Sequence, residues 1–320
     1  MLSKRIIACL DVRNGAVVKG INFKGLRHAG DPATLAARYN CEGIDEVVIL
    51  DITATIEQRK ALADTIHAVA QEIFLPLCVG GGIRGEEHAE AAIEAGADKV
   101  GINTAALSHP ALITTLAKRY GSQAVIVAID AKREDDRYKI YVRSGQQGTE
   151  RNAVEWAREA ADRGAGEILL TSIDRDGTKR GFDCELTAAV SSAVPIPVIA
   201  SGGAGTFDHF VEVFTDGQAD AALAASIFHY SEHAVADLKT HLRTNGRIWS
   251  CDINLLIATC NLATTTIQND FLLIDFIRAS INFFIIKLIA RGLIDNNGLN
   301  GTIFIDRIAI GIFRNVHPYR

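Results

Sequence analysis

The chain alternates short apolar runs, rich in Val, Ile and Leu, with longer Ala- and Glu-rich stretches of helical period up to about residue 245. This alternation is typical of parallel β-strands joined by crossover helices. Eight apolar runs are predicted to be strands: 5–11, 46–51, 75–80, 99–103, 124–130, 167–172, 197–201 and 221–226. Eight β/α units match the size of a (β/α)8 barrel, whereas a doubly wound open sheet more often has about five or six strands. The pattern therefore predicts an α/β fold of the TIM-barrel class.

The second half of this pattern repeats the first. Residues 79–107 align with residues 200–228 at an offset of about 121 residues, and both segments begin with a glycine-rich turn. Asp11 and Asp130, which each end a predicted strand, are separated by nearly the same offset. We therefore expect a barrel built from two similar half-barrels, in which the strands that end at Asp11 and Asp130 lie opposite each other.

Residues 246–320 depart from the pattern, because they are rich in Ile and Asn and poor in Ala and Glu. The stretch 271–294 has the length of a membrane span, but four charged residues interrupt it, so no membrane association is predicted: Asp275, Arg278, Lys287 and Arg291. Two explanations stay open, an added segment that packs on the barrel or on a partner, and sequence read past the natural end without a selected fold. The lack of coherent hydrophobic periodicity and of helix caps favours the second. We expect a barrel domain at 1–245 and, at 246–320, an atypical apolar tail of unknown role and low order.

Composition and charge narrow the function classes. The 320 residues carry a formal net charge of -5 with a pI near 6.0, so no basic surface predicts nucleic-acid binding. The six cysteines are widely spaced without a CxxC pair, and no export signal is visible, which indicates a reduced, cytoplasmic protein. His229 and His233 have the spacing of a zinc pair but lack a third ligand nearby, and no GxGxxG follows the first strand. Neither a metal nor a dinucleotide cofactor is therefore predicted.

Polar residues end the predicted strands, at the edge of a barrel where active sites form. An aspartate at such a position can simply cap the next turn. Two aspartates on opposite strands, Asp11 and Asp130, favour instead two separate acid-base groups, one on each side of a substrate and too far apart to share a proton. Lys19, in the segment after the first strand, is a candidate to fold over the ligand, although a lone lysine is more often a solvated surface charge.

Two glycine-rich turns, 80–83 and 201–205, follow the third and seventh predicted strands. Such turns expose backbone N–H groups where a helix begins, and these groups bind phosphate. Each turn is paired with the turn after the next strand, 102–106 or 224–228, so the pattern is duplicated. Glycine also serves tight packing, but a duplicated pair at the usual phosphate position of a barrel predicts a substrate with a phosphate at each end.

Charged residues stand at the opposite ends of four predicted strands: Arg5, Glu46, Lys99 and Glu167. Period-two alternation puts Arg5 on the same face as Asp11, and Lys99 and Glu167 on inward faces as well. Because buried unpaired charges are costly, two cations and two anions are expected to form a ring of alternating ion pairs across the barrel floor. The alternative is a set of surface salt bridges at the rim.

Seven segments resemble the cyclase subunit of imidazole glycerol phosphate synthase, from histidine biosynthesis: "KRIIACLDVRNGAVVKG", "LDITAT", "VGGGIR", "GINTAAL", "GAGEILLTSIDRDGTKRGFD", "IASGGAGT" and "DAALAASIFH". The resemblance covers residues 1 to about 245. It implies a phosphoribulosyl-formimino carboxamide ribotide substrate with two phosphates, which reacts with ammonia to give imidazole glycerol phosphate and an aminoimidazole carboxamide ribotide. It also implies a heterodimer, in which a glutaminase subunit docks on the N-terminal face of the barrel, and no cofactor.

The same resemblance implies roles for individual residues. Asp11 and Asp130 match the catalytic acid-base pair, and Lys19 matches the loop lysine that helps close the site. Two phosphate cradles are implied, one at Gly82, Asn103 and Thr104, the other at Gly203, Ala225 and Ser226. Further substrate contacts are implied at Thr171, Asp176 and Ser201. The gate through which ammonia enters is implied at Arg5, Glu46, Lys99 and Glu167.

Two alternative functions stay open. The sugar isomerase of the preceding pathway step is also a two-half barrel with opposed aspartates and a similar bisphosphate, although "CLDV", "SGGAG" and "DRDGTKRGFD" are more similar to the cyclase. The chain could also be a barrel that binds phosphate without catalysis. Such a module needs neither opposed acid-base groups nor a charged floor, so the motifs favour the cyclase.

Overall fold

A computed structural model describes residues 4–21, 24–52, 58–143, 145–229 and 234–244. The predicted tail at 246–320, with its expected low order, lies outside these residues, and so does His233 of the histidine pair. Within them, no helix is both long and apolar enough to cross a membrane.

Strands and helices alternate along the described chain. The first half contains β1 (Arg5–Arg13), β2 (Ala16–Ile21), β3 (Lys24–Gly30), α1 (Pro32–Glu42), β4 (Glu46–Asp51), α2 (Gln58–Glu72), β5 (Leu77–Gly80), α3 (Glu86–Glu94), β6 (Lys99–Ile102), α4 (Thr104–Ser108) and α5 (Ala111–Tyr120). After a 3-10 turn at Ser122–Ala124, the second half contains β7 (Val125–Glu134), β8 (Arg137–Val142), β9 (Gln147–Asn152), α6 (Ala153–Asp162), β10 (Glu167–Ser172), α7 (Cys184–Ser191), β11 (Val198–Ser201), α8 (Phe207–Thr215), β12 (Ala221–Ala224), α9 (Ser226–His229) and α10 (Val235–Thr244).

Eight of these strands form a closed parallel barrel in the order β1, β4, β5, β6, β7, β10, β11 and β12, and β12 pairs with β1. The predicted TIM-barrel fold is confirmed, and each predicted strand overlaps an observed one. Strands β1 and β7 run further than predicted, because each continues into an antiparallel hairpin, β2–β3 or β8–β9. The hairpins were not predicted, since β3 and β9 are rich in polar residues and carry no apolar run.

The two halves of the barrel match each other closely. Strands β4 and β10, strands β5 and β11, and helices α3 and α8 are pairs of equal length, and the members of each pair are 121 residues apart. The predicted half-barrel repeat is therefore present in the structure. Because the repeat unit contains four barrel strands, repeat-related strands lie opposite each other, and β1 faces β7 across the barrel.

Each barrel strand is buried on two sides. Outward-facing side chains pack under the helices in a large core that includes the fully buried Tyr39, Phe210 and Phe228. Inward-facing side chains form a second, smaller core inside the barrel: Ile7, Cys9, Val48, Cys78, Ile126, Leu169, Ile199, Ala221 and Leu223. Because both faces are covered, the strands read as nearly continuous apolar runs, which is why the sequence revealed them.

Aspartates before three strands tie neighbouring strand starts together on the barrel floor. The backbone N–H of Ile6 donates a hydrogen bond of 2.8 Å to the carboxylate of Asp45. In the same way Leu77 donates to Asp98 at 2.9 Å, and Val198 donates to Asp220 at 3.1 Å. Each donor lies at or next to the start of the adjacent strand. Asp45 also accepts Lys239 Nζ at 2.6 Å, which fixes the last helix, α10, to the first strand of the barrel.

Both predicted phosphate turns contain two glycines in the left-handed backbone region. The φ angles are +84° and +70° at Gly81 and Gly82, and +93° and +102° at the repeat-related Gly202 and Gly203. Residues with a side chain rarely adopt these angles. A Cβ added to Gly81 would also lie 2.1 Å from the carbonyl oxygen of Asp51 at the end of β4. The turn therefore packs directly on the neighbouring strand and requires glycine at this position.

We expect Gly81→Ala to lower the free energy of unfolding by about 3 kcal/mol or more, because both the φ angle and the contact with Asp51 oppose a side chain. Gly85→Ala is the matched control, since Gly85 is extended and an added Cβ meets nothing within 4 Å. The control should change this free energy by about 1 kcal/mol or less. Urea denaturation measures both, and equal effects of the two substitutions would show that the turn does not need its glycine.

Candidate active site

The C-terminal ends of the barrel strands bring predicted site residues together at one opening, the barrel mouth. Side chains alternate along a strand, so a residue two positions beyond an interior core residue also faces inward. The polar residues in this position at the mouth are Asp11 on β1, Asp130 on β7, Thr171 on β10 and Ser201 on β11. The mouth therefore combines two carboxyl groups with two hydroxyl groups above an apolar interior.

Asp130 is held by a neighbouring strand. Its Oδ2 accepts a hydrogen bond of 3.0 Å from the side-chain Nδ2 of Asn103, which follows β6. The Asp130 side chain keeps partial contact with solvent but is otherwise surrounded by protein. Burial is the largest influence and raises the pKa of Asp130 to about 6, while the hydrogen bond from Asn103 lowers it and the charge of Asp176 raises it by smaller amounts. This carboxyl group can therefore exchange a proton near neutral pH.

Asp11 lies in a different environment. It is 9% exposed, and the thiol of Cys9, two residues earlier on the same strand, lies 3.6 Å from its Oδ1. Three barrel strands separate β1 from β7 on either side, so Asp11 and Asp130 occupy opposite walls of the mouth. The two carboxyl groups are thus suited to act on opposite sides of one bound molecule.

The two glycine turns differ in what surrounds them. A Cβ added to Gly82 would meet no heavy atom within 4 Å, so the space beside this turn is open. A Cβ added to Gly203 would lie 2.1 Å from the carbonyl oxygen of Gly181, whose N–H donates to the Gly203 carbonyl at 2.8 Å. The loop that follows β10 therefore packs against the second turn. The sequence did not indicate this contact, because Gly181 and Gly203 belong to different sequence motifs.

The same loop brings Asp176 to the site. The Asp176 N–H donates to the carbonyl of Ser172 at 2.9 Å, which closes the turn directly after β10. Its backbone also lies 3.4 Å from the position of a Cβ on Gly202, and its charge acts on Asp130. Asp176 therefore lies next to the second glycine turn and close enough to Asp130 for its charge to raise the pKa of that carboxyl group.

The remaining predicted residues lie at the starts of short helices or in a hairpin. Thr104 begins α4, and its Oγ1 accepts a hydrogen bond of 3.2 Å from the backbone N–H of Arg143 at the end of β8, a contact that the sequence did not reveal. Ala225 precedes α9, and Ser226 begins it. Lys19 lies in β2, and its side chain is outside the part of the structure that is described.

At the barrel floor, the four charged residues form one closed ring, as the alternation pattern predicts. Arg5 contacts Glu46 at 2.7 Å and Glu167 at 2.5 Å. Lys99 contacts the same two glutamates at 3.0 and 2.7 Å. Each carboxylate is thus shared by two cations, and the side chain of Glu46 is only 1% exposed. A ring of this kind spans the floor and pairs each of its buried charges.

The two repeat-related glutamates of the ring have different acidities. Burial raises the pKa of Glu46, and the charges of Lys99 and Arg5 offset only part of this effect. Burial acts in the same direction on Glu167, but the hydrogen bonds and charges of Arg5 and Lys99 together outweigh it and the pKa is lowered. Burial lowers the pKa of Arg5 and of Lys99, but the two glutamates reverse the effect and both values are raised. The shifts of Arg5, Lys99 and Glu167 thus favour the ionised forms, whereas the shift of Glu46 favours its neutral form.

The interior core separates the ring from the aspartates. It consists of aliphatic side chains and the thiols of Cys9 and Cys78. Burial raises the pKa of the Cys78 thiol well above its usual value, so this sulfur stays neutral. Between floor and mouth the described interior core is therefore apolar and contains no charged group.

Comparison with known proteins identifies the family of the chain. The family model described as "Histidine biosynthesis protein" matches residues 5–234. A relative from Acidobacterium capsulatum, named imidazole glycerol phosphate synthase subunit HisF, is 60% identical over 242 residues, which are 76% of this chain and 96% of the relative. A relative of the same name from Alkaliphilus metalliredigens is 56% identical over 243 residues, again 76% of this chain and 96% of the relative. The family expected from the sequence motifs is confirmed.

The pKa of Asp130 predicts how stability depends on pH. Folding raises this pKa from about 3.9 to about 6, so the folded state binds the proton more tightly and stability falls as pH rises from about 4 to about 6. Above this range a buried carboxylate costs at most about 3 kcal/mol. We therefore expect Asp130→Asn to raise the free energy of unfolding at pH 8 and to have little effect at pH 4, as measured by urea denaturation.

Asp64→Asn is the control for this prediction, because Asp64 is exposed on α2. It should show no pH-dependent difference from the unmodified protein. A stabilisation by Asp130→Asn that is the same at both pH values would contradict the prediction, since it could not come from proton binding.

Proposed function

The chain belongs to the histidine biosynthesis protein family, as a HisF cyclase subunit of imidazole glycerol phosphate synthase, and from this premise we propose how its barrel performs the reaction. Ammonia reacts at the barrel mouth with phosphoribulosyl-formimino-aminoimidazole carboxamide ribotide. The products are imidazole glycerol phosphate, aminoimidazole carboxamide ribotide and one molecule of water. Asp11 and Asp130 supply general acid-base catalysis on opposite sides of the substrate.

The observation that carries this proposal is the crossing of two axes at the barrel mouth. One axis joins Asp11 on β1 to Asp130 on β7. The other joins the turns after β5 and β11, which also lie opposite each other, about a quarter turn around the barrel from the aspartates. A bisphosphate held at both turns passes between the two carboxyl groups. Its middle, where bonds form and break, then faces both of them.

The chemistry requires several proton transfers. The reaction includes addition of ammonia to the carbon of a C=N or C=O bond, loss of water, and cleavage of a C–N bond. Each of these steps moves a proton to or from the reacting atoms. Two carboxyl groups on opposite walls of the mouth can serve the two sides of the substrate without sharing a proton with each other. The pKa of Asp130 near 6 suits a group that must both take and return a proton at neutral pH.

Phosphate binding is proposed at the two glycine turns. Gly82, with Asn103 and Thr104, forms one cradle, and the open space beside Gly82 leaves room for phosphate oxygens against backbone N–H groups. Gly203, with Ala225 and Ser226, forms the other. Three further residues at the mouth are assigned to substrate contacts: Thr171, Asp176 and Ser201. Lys19, from the hairpin after β1, is assigned to closure over the substrate.

We place the entry of ammonia at the floor, through the ring of Arg5, Glu46, Lys99 and Glu167 and then through the apolar interior core above it. HisF is named as a subunit, so a partner subunit exists, and we propose a glutaminase docked on the N-terminal face as a heterodimer. The exposure of Phe74 supports docking on this face. Its side chain is 91% exposed, and it is the one large apolar side chain exposed to this degree among the described residues. It lies beside Pro76, whose carbonyl accepts the N–H of Val47 next to Glu46.

The cyclase domain is assigned to residues 1–245, in agreement with the extent of the family match. We assign no role to residues 246–320. A cytoplasmic location is proposed because Cys41, Cys78 and Cys184 are free thiols, as expected in a reducing compartment.

We expect the purified protein to consume the bisphosphate substrate with an ammonium salt at mildly alkaline pH, without any glutaminase. Asp11→Asn and Asp130→Asn should each lower kcat by about 100-fold or more, because each removes one proton-transfer group. Product formation is measured by chromatography, for the full chain and for a chain truncated after residue 250. Asp64→Asn should retain full activity, since this side chain is exposed on α2. Absence of turnover in folded protein, or full activity of both variants, would refute the proposed chemistry.

We expect Phe74→Asp to weaken binding of the cognate glutaminase subunit by about 10-fold or more, because a charge replaces an exposed aromatic anchor. Ammonium-dependent turnover should be unchanged, since Phe74 lies at the opposite end of the barrel from the mouth. The matched control is Ala111→Asp, at the exposed start of α5 on the mouth side. Isothermal titration calorimetry measures binding, and equal affinity of both variants would exclude the floor near Phe74 as the docking surface.

A further inference from the structure

The duplication of the barrel creates two equivalent positions, one next to each aspartate. Different residues occupy these two positions. Asn103 follows β6, which pairs with β7, the strand of Asp130. Ala225 follows β12, which pairs with β1, the strand of Asp11. The registers agree, because Asn103 lies level with Ala128, two residues before Asp130, and Ala225 lies level with Cys9, two residues before Asp11. Asn103 and Ala225 thus occupy the same place relative to their aspartates.

The hydrogen bonds to the two carboxylates break this symmetry. Asn103 Nδ2 donates to Asp130 Oδ2 at 3.0 Å, whereas Ala225 has no polar side-chain atom to offer Asp11. The thiol of Cys9 lies 3.6 Å from Asp11 Oδ1, whereas the equivalent Ala128 has nothing comparable for Asp130. One aspartate thus receives an amide donor from the adjacent strand, and the other faces a thiol, a weaker donor, from its own strand.

We propose that Asn103 is a positioning residue, whose side-chain amide orients the Asp130 carboxylate and makes it chemically unequal to Asp11. The inference rests on the proposed acid-base role of Asp130 and goes beyond the assignment of Asn103 to a phosphate cradle. In this assignment one N–H of the Asn103 side chain serves Asp130, and the backbone of Asn103 contributes to phosphate binding.

Among the described neighbours of Asp130, Asn103 is the one whose hydrogen bond favours the ionised form of the Asp130 carboxyl group. From the β10 side, Thr171 is neutral and Asp176 repels a second negative charge. From β8, the register partner is Tyr141, whose hydroxyl donates to Glu134 instead. Asp11 stands on the opposite wall. An amide donor stabilises a carboxylate, so its loss favours the protonated form of Asp130.

The test is a direct titration of Asp130 that needs no turnover. Protein labelled with carbon-13 at the aspartate carboxyls is titrated by NMR, and the Asp130 signal is assigned by its absence in Asp130→Asn. We expect Asn103→Ala to move the Asp130 midpoint upward by about half a pH unit to one unit. Asn103→Ser, which keeps a hydroxyl donor, should move it less and serves if Asn103→Ala does not fold.

Steady-state kinetics provide the second readout. The pH limb of kcat that disappears in Asp130→Asn should move upward in Asn103→Ala together with the NMR midpoint, while KM for the bisphosphate changes by about two-fold or less. If instead the Asp130 midpoint stays in place and KM rises, Asn103 is a phosphate ligand only and the inference is wrong. If the midpoint moves but no variant has turnover, the positioning contact is real and the proposed cyclase chemistry has failed, so the two failures are distinguishable.

Discussion

Closure of eight parallel strands is the constraint on which the rest of the structure depends. Once β12 pairs with β1, every strand has one face inside a narrow space and one face under the helices. Alternation then decides the position of each side chain. The same rule that buries Ile7 and Cys9 points Asp11 into the mouth and Arg5 into the floor. Charge is tolerated only at the two ends of the interior, where solvent or an opposite charge is available.

Duplication explains the positions of the site residues, and departures from it explain their differences. The repeat sets two aspartates against each other and two glycine turns against each other. An exactly symmetric barrel would treat both sides of a substrate alike. The two halves nevertheless differ by single changes in equivalent places: Asn103 against Ala225, Cys9 against Ala128, and an open Gly82 against a packed Gly203.

Much of this was visible in the sequence, because both faces of each barrel strand are buried and the apolar runs are clear. Strand order, the repeat and the inward ring of charges all follow from runs, spacing and alternation. The hairpin β8–β9 could not be predicted, since β9 is polar and rests on its partner strand. Nor could the contact between Gly181 and Gly203, which depends on the path of a loop. The hydrogen bond from Asn103 was missed for a different reason: its strand end was recognised, but the direction of its amide was not.

The route proposed for ammonia, through the floor and the interior core, would discriminate by charge. A cation that entered the interior core would lose its hydration shell and find no counter-ion among the described interior core residues, a penalty of many kcal/mol at low dielectric constant. A small neutral molecule loses far less. Nitrogen that followed the proposed route would therefore have to arrive at the mouth as free ammonia, with its lone pair available for attack and one proton fewer for the aspartates to remove.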